Sequence, residues 1–111
     1  VVSLKHRAYV ASLPCMLYHK WDETVVDHHL LRAHPTKGTG LKTCDVWLVP
    51  ANAKHHTDVH AAGDEIEFYS DKGWHYDRVK GYALQIALGS PCKKVRDRAK
   101  EYQHEMLDQI F

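Results

Sequence analysis

Residues 49–60 read VPANAKHHTDVH and place His55, His56 and His60 in what the pattern predicts to be a single helix. Asn52 is the expected N-cap, the helix beginning near Asn52 or Ala53, and Gly63 is the expected stop. His56 and His60 share a face of such a helix, one turn apart, so their two imidazoles are able to grip one metal ion. A pair of this kind also arises from solvated histidines at chance spacing. Its weight depends on a partner elsewhere in the chain.

That partner lies upstream in VVDHHLLRAH, residues 25–34. Val25 and Val26, followed after the histidines by Leu30 and Leu31, read as a short strand. Neighbouring strand residues point to opposite faces, so His28 and His29 have different surroundings and different work: one binds a metal while the other faces a substrate beside it. The plainer alternative is a polar strand end with two exposed imidazoles. A polar loop with Gly38 and Gly40 (HPTKGTGLKTCD, residues 34–45) leads to a second strand, VWLV, at residues 46–49, ending at Pro50. The order is strand, long loop, strand, helix.

The rest of the chain supplies a small scaffold. At 111 residues it is a single domain, with hydrophobic and charged shares of 44% and 26%, both ordinary for a globular chain. Residues 3–13 suit a helix capped by Ser3 and stopped by Pro14; Asp22 and Glu23 mark a turn. EIEFYS, residues 65–70, alternates like an edge strand or hairpin arm, and DKG follows as a turn. Helices are expected from Asp77 to Leu88 and from Cys92 to Phe111. The class is therefore α+β, with Trp21, Trp47 and Trp74 as packing candidates.

Composition narrows the chemistry. Of ten histidines, six fall between residues 28 and 60, which makes this segment the place to seek a site. Cys15, Cys44 and Cys92 are an odd number with no Cys-x-x-Cys pair, which argues against a disulfide framework or a thiolate zinc knuckle and leaves packed or idle thiols. A formal net charge of +1 excludes a polycation, although Lys93, Lys94, Arg96, Arg98 and Lys100 cluster around Asp97 alone. No apolar run reaches membrane length and no secretory pattern opens the sequence, so a soluble cytoplasmic protein is expected. His6, His19, His34, His75 and His104 read as exposed or packed polar residues, His34 being the nearest to the site.

Together, His28-His29 on a strand, the polar loop, the second strand and His56-x-x-x-His60 resemble the ββα-metal motif of HNH endonucleases. The stretch from about Ala8 to Ala62 is similar to small phage and prophage HNH proteins of the recombination-associated kind, through Ser12 to Cys15, His28-His29, Gly38 to Asp45, Pro50, and His55 to His60. The resemblance implies a ββα-metal (His-Me finger) core at about residues 12–62 within a single domain, 1–111, and a helical part at about 77–111. It implies His28, His56 and His60 as ligands of one divalent ion, His29 as general base, and a structural place for His55. It also implies DNA as partner, with a recombinase or other phage protein beside it. Arg32, Lys37 and Lys42 are expected to touch phosphate, giving sequence-tolerant, salt-sensitive binding.

Two departures stand out. The central Asn of the motif has no clear counterpart; Asp45 is assigned to fix the loop or orient His29, and Asn52 to cap the helix. The cysteine pairs that hold a structural zinc in relatives are missing, since Met16, Leu17 and Tyr18 follow Cys15. A second alignment makes Asp27 the ligand and His28 the base; it ranks lower because Leu30 follows His29 where the family's apolar residue follows the base.

The chemistry fits independently. An imidazole with an ordinary pKa near 6.5 takes a proton from water close to working pH. An ion on imidazole ligands keeps open positions for phosphate oxygens; such ligands favour Zn, Ni, Co or Mn, whereas Mg prefers oxygen. The expected activity is metal-dependent DNA endonuclease or nickase, with a non-catalytic metal-stabilised DNA-binding domain of the same fold as the alternative and a histidine-rich metal-binding protein as a third reading.

Overall fold

Val26–His29 (β1) and Leu48–Ala51 (β2) pair antiparallel, with His28 opposite Val49 and His29 opposite Leu48. The computed structural model describes residues 2–33 and 44–110, so the expected glycine loop, with His34, Lys37 and Lys42, lies outside the described residues. β2 begins two residues later than the VWLV pattern suggests, because Asp45–Trp47 is a turn in which the Trp47 N–H donates to Cys44 O at 3.1 Å. Pro50 belongs to β2. It is tolerated because a two-stranded sheet has only edges, and its outward carbonyl accepts the Met16 N–H at 2.9 Å.

The helix after the hairpin, Ala53–Ala62 (α2), begins as its sequence requires: Asn52 Oδ1 accepts the His55 N–H at 2.9 Å. It ends at Gly63, whose φ of 79° lies in the left-handed region that glycine enters without a Cβ penalty. The first helix, Leu4–Ala11 (α1), has Ser3 as N-cap, accepting the His6 N–H at 3.1 Å. Both helices pack on the hairpin. Side chains alternate along β1, so Asp27 turns to Arg7 of α1 whereas His28 turns to His56 and His60 of α2.

Residues 65–70 overturn the strand expectation. Glu65–Asp71 is a helix (α3), started by Asp64 Oδ1, which accepts the Ile66 and Glu67 N–H groups. Glu65 and Glu67 sit in its first turn, where the helix dipole favours negative charge. Buried positions are Glu65, Phe68 and Tyr69, the i, i+3, i+4 set of a helix, while Ile66 is exposed. The apparent two-residue alternation is coincidental.

Tyr76–Leu88 (α4) and Lys93–Ile110 (α5) pack together, and α4 also covers β2. The core joins Met16, Leu30, Trp47, Val49, Tyr69 and Val79, all buried. Trp74 packs at its margin. Trp21 does not take the packing role expected of it; it is 55% exposed, and its Nε1–H donates to Ala11 O. None of the three cysteines is in a disulfide. The class is α+β: five helices and a two-stranded antiparallel sheet among the described residues. None of these helices is long and apolar enough to cross a membrane.

His55 belongs to the core. Its Nε2 lies 2.8 Å from Tyr69 Oη and its Nδ1 lies 3.6 Å from Cys15 Sγ, so it staples α2 to α3 and to the segment after α1. Burial, followed by the neighbouring imidazoles of His28 and His56, lowers its pKa to about 4. A histidine with a depressed folded pKa stays neutral while the unfolded chain takes up its proton below about 6.5, so stability falls as pH drops from that value towards 4. His55 is therefore expected to contribute about 2 kcal/mol to the loss of stability between pH 7 and pH 5. Urea unfolding at the two pH values checks this: His55→Phe should show a flatter pH dependence than wild type, and equal slopes would contradict it.

Candidate metal centre

His28 is buried on β1, and His56 and His60 project towards it from successive turns of α2. The ring centroids of His56 and His60 lie 5.6 and 5.7 Å from that of His28. His56 Nε2 and His60 Nε2 are 3.2 Å apart, and one nitrogen from each of the three rings falls within 4.8 Å of the others. Two bare lone pairs so close repel unless a proton or a cation lies between them. Burial, followed by the neighbouring His60 and His28 rings, lowers the pKa of His56 and favours the neutral form that offers a lone pair to a metal. The donor set suits a divalent ion, and the group brings together the three histidines that the sequence singled out.

His29, the next residue along β1, is not part of this group. Its Nε2 lies 2.9 Å from Asp45 Oδ1, and Asp45 Oδ2 accepts the Ser3 N–H at 2.6 Å. Asp45 is buried, whereas His29 keeps partial access to solvent. The two residues meet as the sequence reading paired them, in spite of 15 intervening positions, 29 to 45 being joined through the turn before β2. The rings open on a cleft of about 200 Å³ lined by Asp27, His28, His29, Leu31, His56 and His60.

Glu65 was not anticipated. Its side chain is buried, with Oε1 2.8 Å from His28 Nε2 and Oε2 accepting both the Leu31 N–H at 2.9 Å and the Tyr76 O–H at 2.5 Å. Burial pushes its pKa up, but the hydrogen bonds from His28, Tyr76 and Leu31 outweigh this and hold it below the ordinary value. Burial and the adjoining Glu65 raise the pKa of Tyr76, which stays a protonated donor. The signal that was available was the helical set Glu65, Phe68, Tyr69 behind an Asp cap.

Arg7 was also missed. Its Nε donates to Asp27 Oδ2 at 2.5 Å, which occupies Asp27 at the margin of the cleft. Among the described residues, the three-nitrogen group contains His28 and not Asp27. Arg32 is exposed, and its backbone N–H donates to Tyr76 Oη at 3.2 Å, so the Glu65–Tyr76 pair also fixes the chain where this cation departs. The α5 cluster is more committed: Lys93 pairs with Asp97, Arg98 with Glu101, and Arg96 donates to Ser90 O.

No family model matches the chain, nor does any curated protein or solved structure.

Zinc or nickel at one hundred times its dissociation constant should stabilise the fold by about 2.7 kcal/mol. Thermal unfolding with and without metal measures it. His60→Ala, at an exposed position late in α2, should leave the metal-free midpoint nearly unchanged and remove most of the shift. An undiminished shift in this variant would place the metal elsewhere.

Proposed function

We propose that the protein is a metal-dependent DNA endonuclease or nickase of the HNH kind, with β1, β2 and α2 as its ββα-metal core and a role in phage or prophage recombination. One observation carries the reading: adjacent histidines on one strand are each backed by a separate buried carboxylate, and only the first joins the three-nitrogen group. A purely structural metal site has no use for a second, carboxylate-held imidazole beside it.

His28, His56 and His60 hold the ion; Zn, Ni, Co and Mn suit this donor set better than Mg. A divalent ion bound there supplies Lewis-acid stabilisation of charge on the phosphate and on the departing oxygen. His29 supplies the base. Its Nε2–H donates to Asp45, which leaves Nδ1 with the lone pair that takes a proton from water. Asp45 cannot turn away, because Ser3 at the start of α1 holds its other oxygen, and its negative charge stabilises the imidazolium that forms. Arg32, together with Lys37 and Lys42, is assigned to the sugar-phosphate backbone, and Arg7 holds Asp27, which lines the cleft. Contacts of this type recognise phosphate rather than base sequence.

The decisive assay is conversion of supercoiled plasmid to nicked and linear forms with Mg, Mn, Ni, Co or Zn. Wild type should convert it, and His29→Ala should be slower by about 10²–10⁴-fold with unchanged metal affinity. Loss of metal affinity in His29→Ala would exchange the roles of His28 and His29. DNA binding without cleavage under any ion would favour the non-catalytic DNA-binding domain.

A further inference from the structure

We infer that Glu65 is a positioning residue that sets the tautomer of His28, keeping the proton on Nε2 so that Nδ1 is the nitrogen presented to His56 and His60. The inference rests on the reading of His28, His56 and His60 as metal ligands. It goes beyond that reading by specifying which atom of His28 acts and what makes it available.

The argument is one of donors and acceptors. An ionised carboxylate only accepts hydrogen bonds. His28 Nε2, 2.8 Å from Glu65 Oε1, must therefore carry the proton of that contact. Glu65 itself is not one of the three residues whose ligand atoms gather, and its contact engages Nε2 of His28. The nitrogen left for an ion is Nδ1. A metal-bound histidine whose other ring nitrogen donates to a carboxylate is held in orientation and made more basic.

The remaining contacts make Glu65 hard to replace even by its isostere. Oε2 receives two donors, the Leu31 N–H and the Tyr76 O–H. The backbone N–H cannot reverse its role. In Glu65→Gln the amide oxygen must therefore occupy the Oε2 position, which turns the amide NH₂ towards His28 Nε2. An NH₂ group donates, so His28 must accept at Nε2 and carry its proton on Nδ1. The substitution would thus place a proton on the very nitrogen that the metal needs, with little change in shape. Tyr76→Phe is the matching control: it removes one donor from Oε2 and leaves the contact with His28 in place.

The test has two readouts, neither of which depends on cleavage of DNA. Long-range ¹⁵N–¹H spectra of the metal-free protein at pH 8 report which His28 nitrogen is protonated. Calorimetric titration with zinc reports affinity. Wild type and Tyr76→Phe should show the proton on Nε2, whereas Glu65→Gln should show it on Nδ1 and bind zinc about 10–100-fold more weakly. A proton on Nδ1 in wild type would overturn the inference without recourse to a variant. Equal losses of affinity in Glu65→Gln and Tyr76→Phe, with the tautomer unchanged, would also overturn it, since Glu65 would then serve only packing. If wild type takes up no zinc, the metal reading fails, while the spectra still decide the role of Glu65.

Discussion

A carboxylate removed from water must be given hydrogen-bond donors or lose its charge, and much of this small fold follows from how Glu65 is satisfied. Its three donors come from β1, from the second residue beyond the end of β1 and from the first residue of α4. To deliver the carboxylate, residues 65–71 must be a helix that begins directly after α2. Satisfying one charge thus fixes the placement of α3, the direction in which the chain leaves β1, and the ring of His28. Asp45 repeats the arrangement for His29, using the backbone at the start of α1. The two histidines are sequence neighbours, yet pleating sends them to different partners: His28 to Glu65 and the rings of His56 and His60, His29 to Asp45.

The fold was legible wherever punctuation was local. Ser3, Asn52 and Gly63 mark helix ends by chemistry confined to a few residues, and the structure uses each of them in that way. The His56 and His60 pair followed from helical spacing, whereas its meeting with His28 rather than His29 was implied by the resemblance to the ββα-metal motif. Residues 65–70 misled because EIEFYS satisfies two periods at once. Read with a period of two, Ile66 and Phe68 face inward; read as a helix behind the Asp64 cap, Glu65, Phe68 and Tyr69 do.

That single error also hid Glu65. On a strand it is one more solvated acid, and only the helical register turns it into the core beneath His28. Arg7 was hidden for a different reason: its partner Asp27 is 20 positions away, and nothing in the amphipathic pattern of α1 indicates which strand it will face. The pairing of His29 with Asp45 was found through resemblance to a motif rather than through spacing, since the intervening loop gives no geometric guide. Trp21 shows the limit of counting aromatic residues as core, because the residue is exposed and its indole N–H donates to the last carbonyl of α1.

The charge layout agrees with a site built for local rather than global attraction. Three of the five α5 cations between residues 93 and 100 are engaged within α5 or at the turn before it, and Arg7 is paired with Asp27, which lines the cleft. With a net charge of only +1, the chain carries no large excess of positive charge, so the proposed phosphate contacts rest on local groups rather than on the net charge.

The most direct test of the central claim is anomalous diffraction from crystals grown with zinc or manganese. A single ion bound by His28, His56 and His60, with His29 outside the coordination sphere and still paired with Asp45, is the result the account predicts. An ion bound by His29, or one seated away from α2, would contradict it.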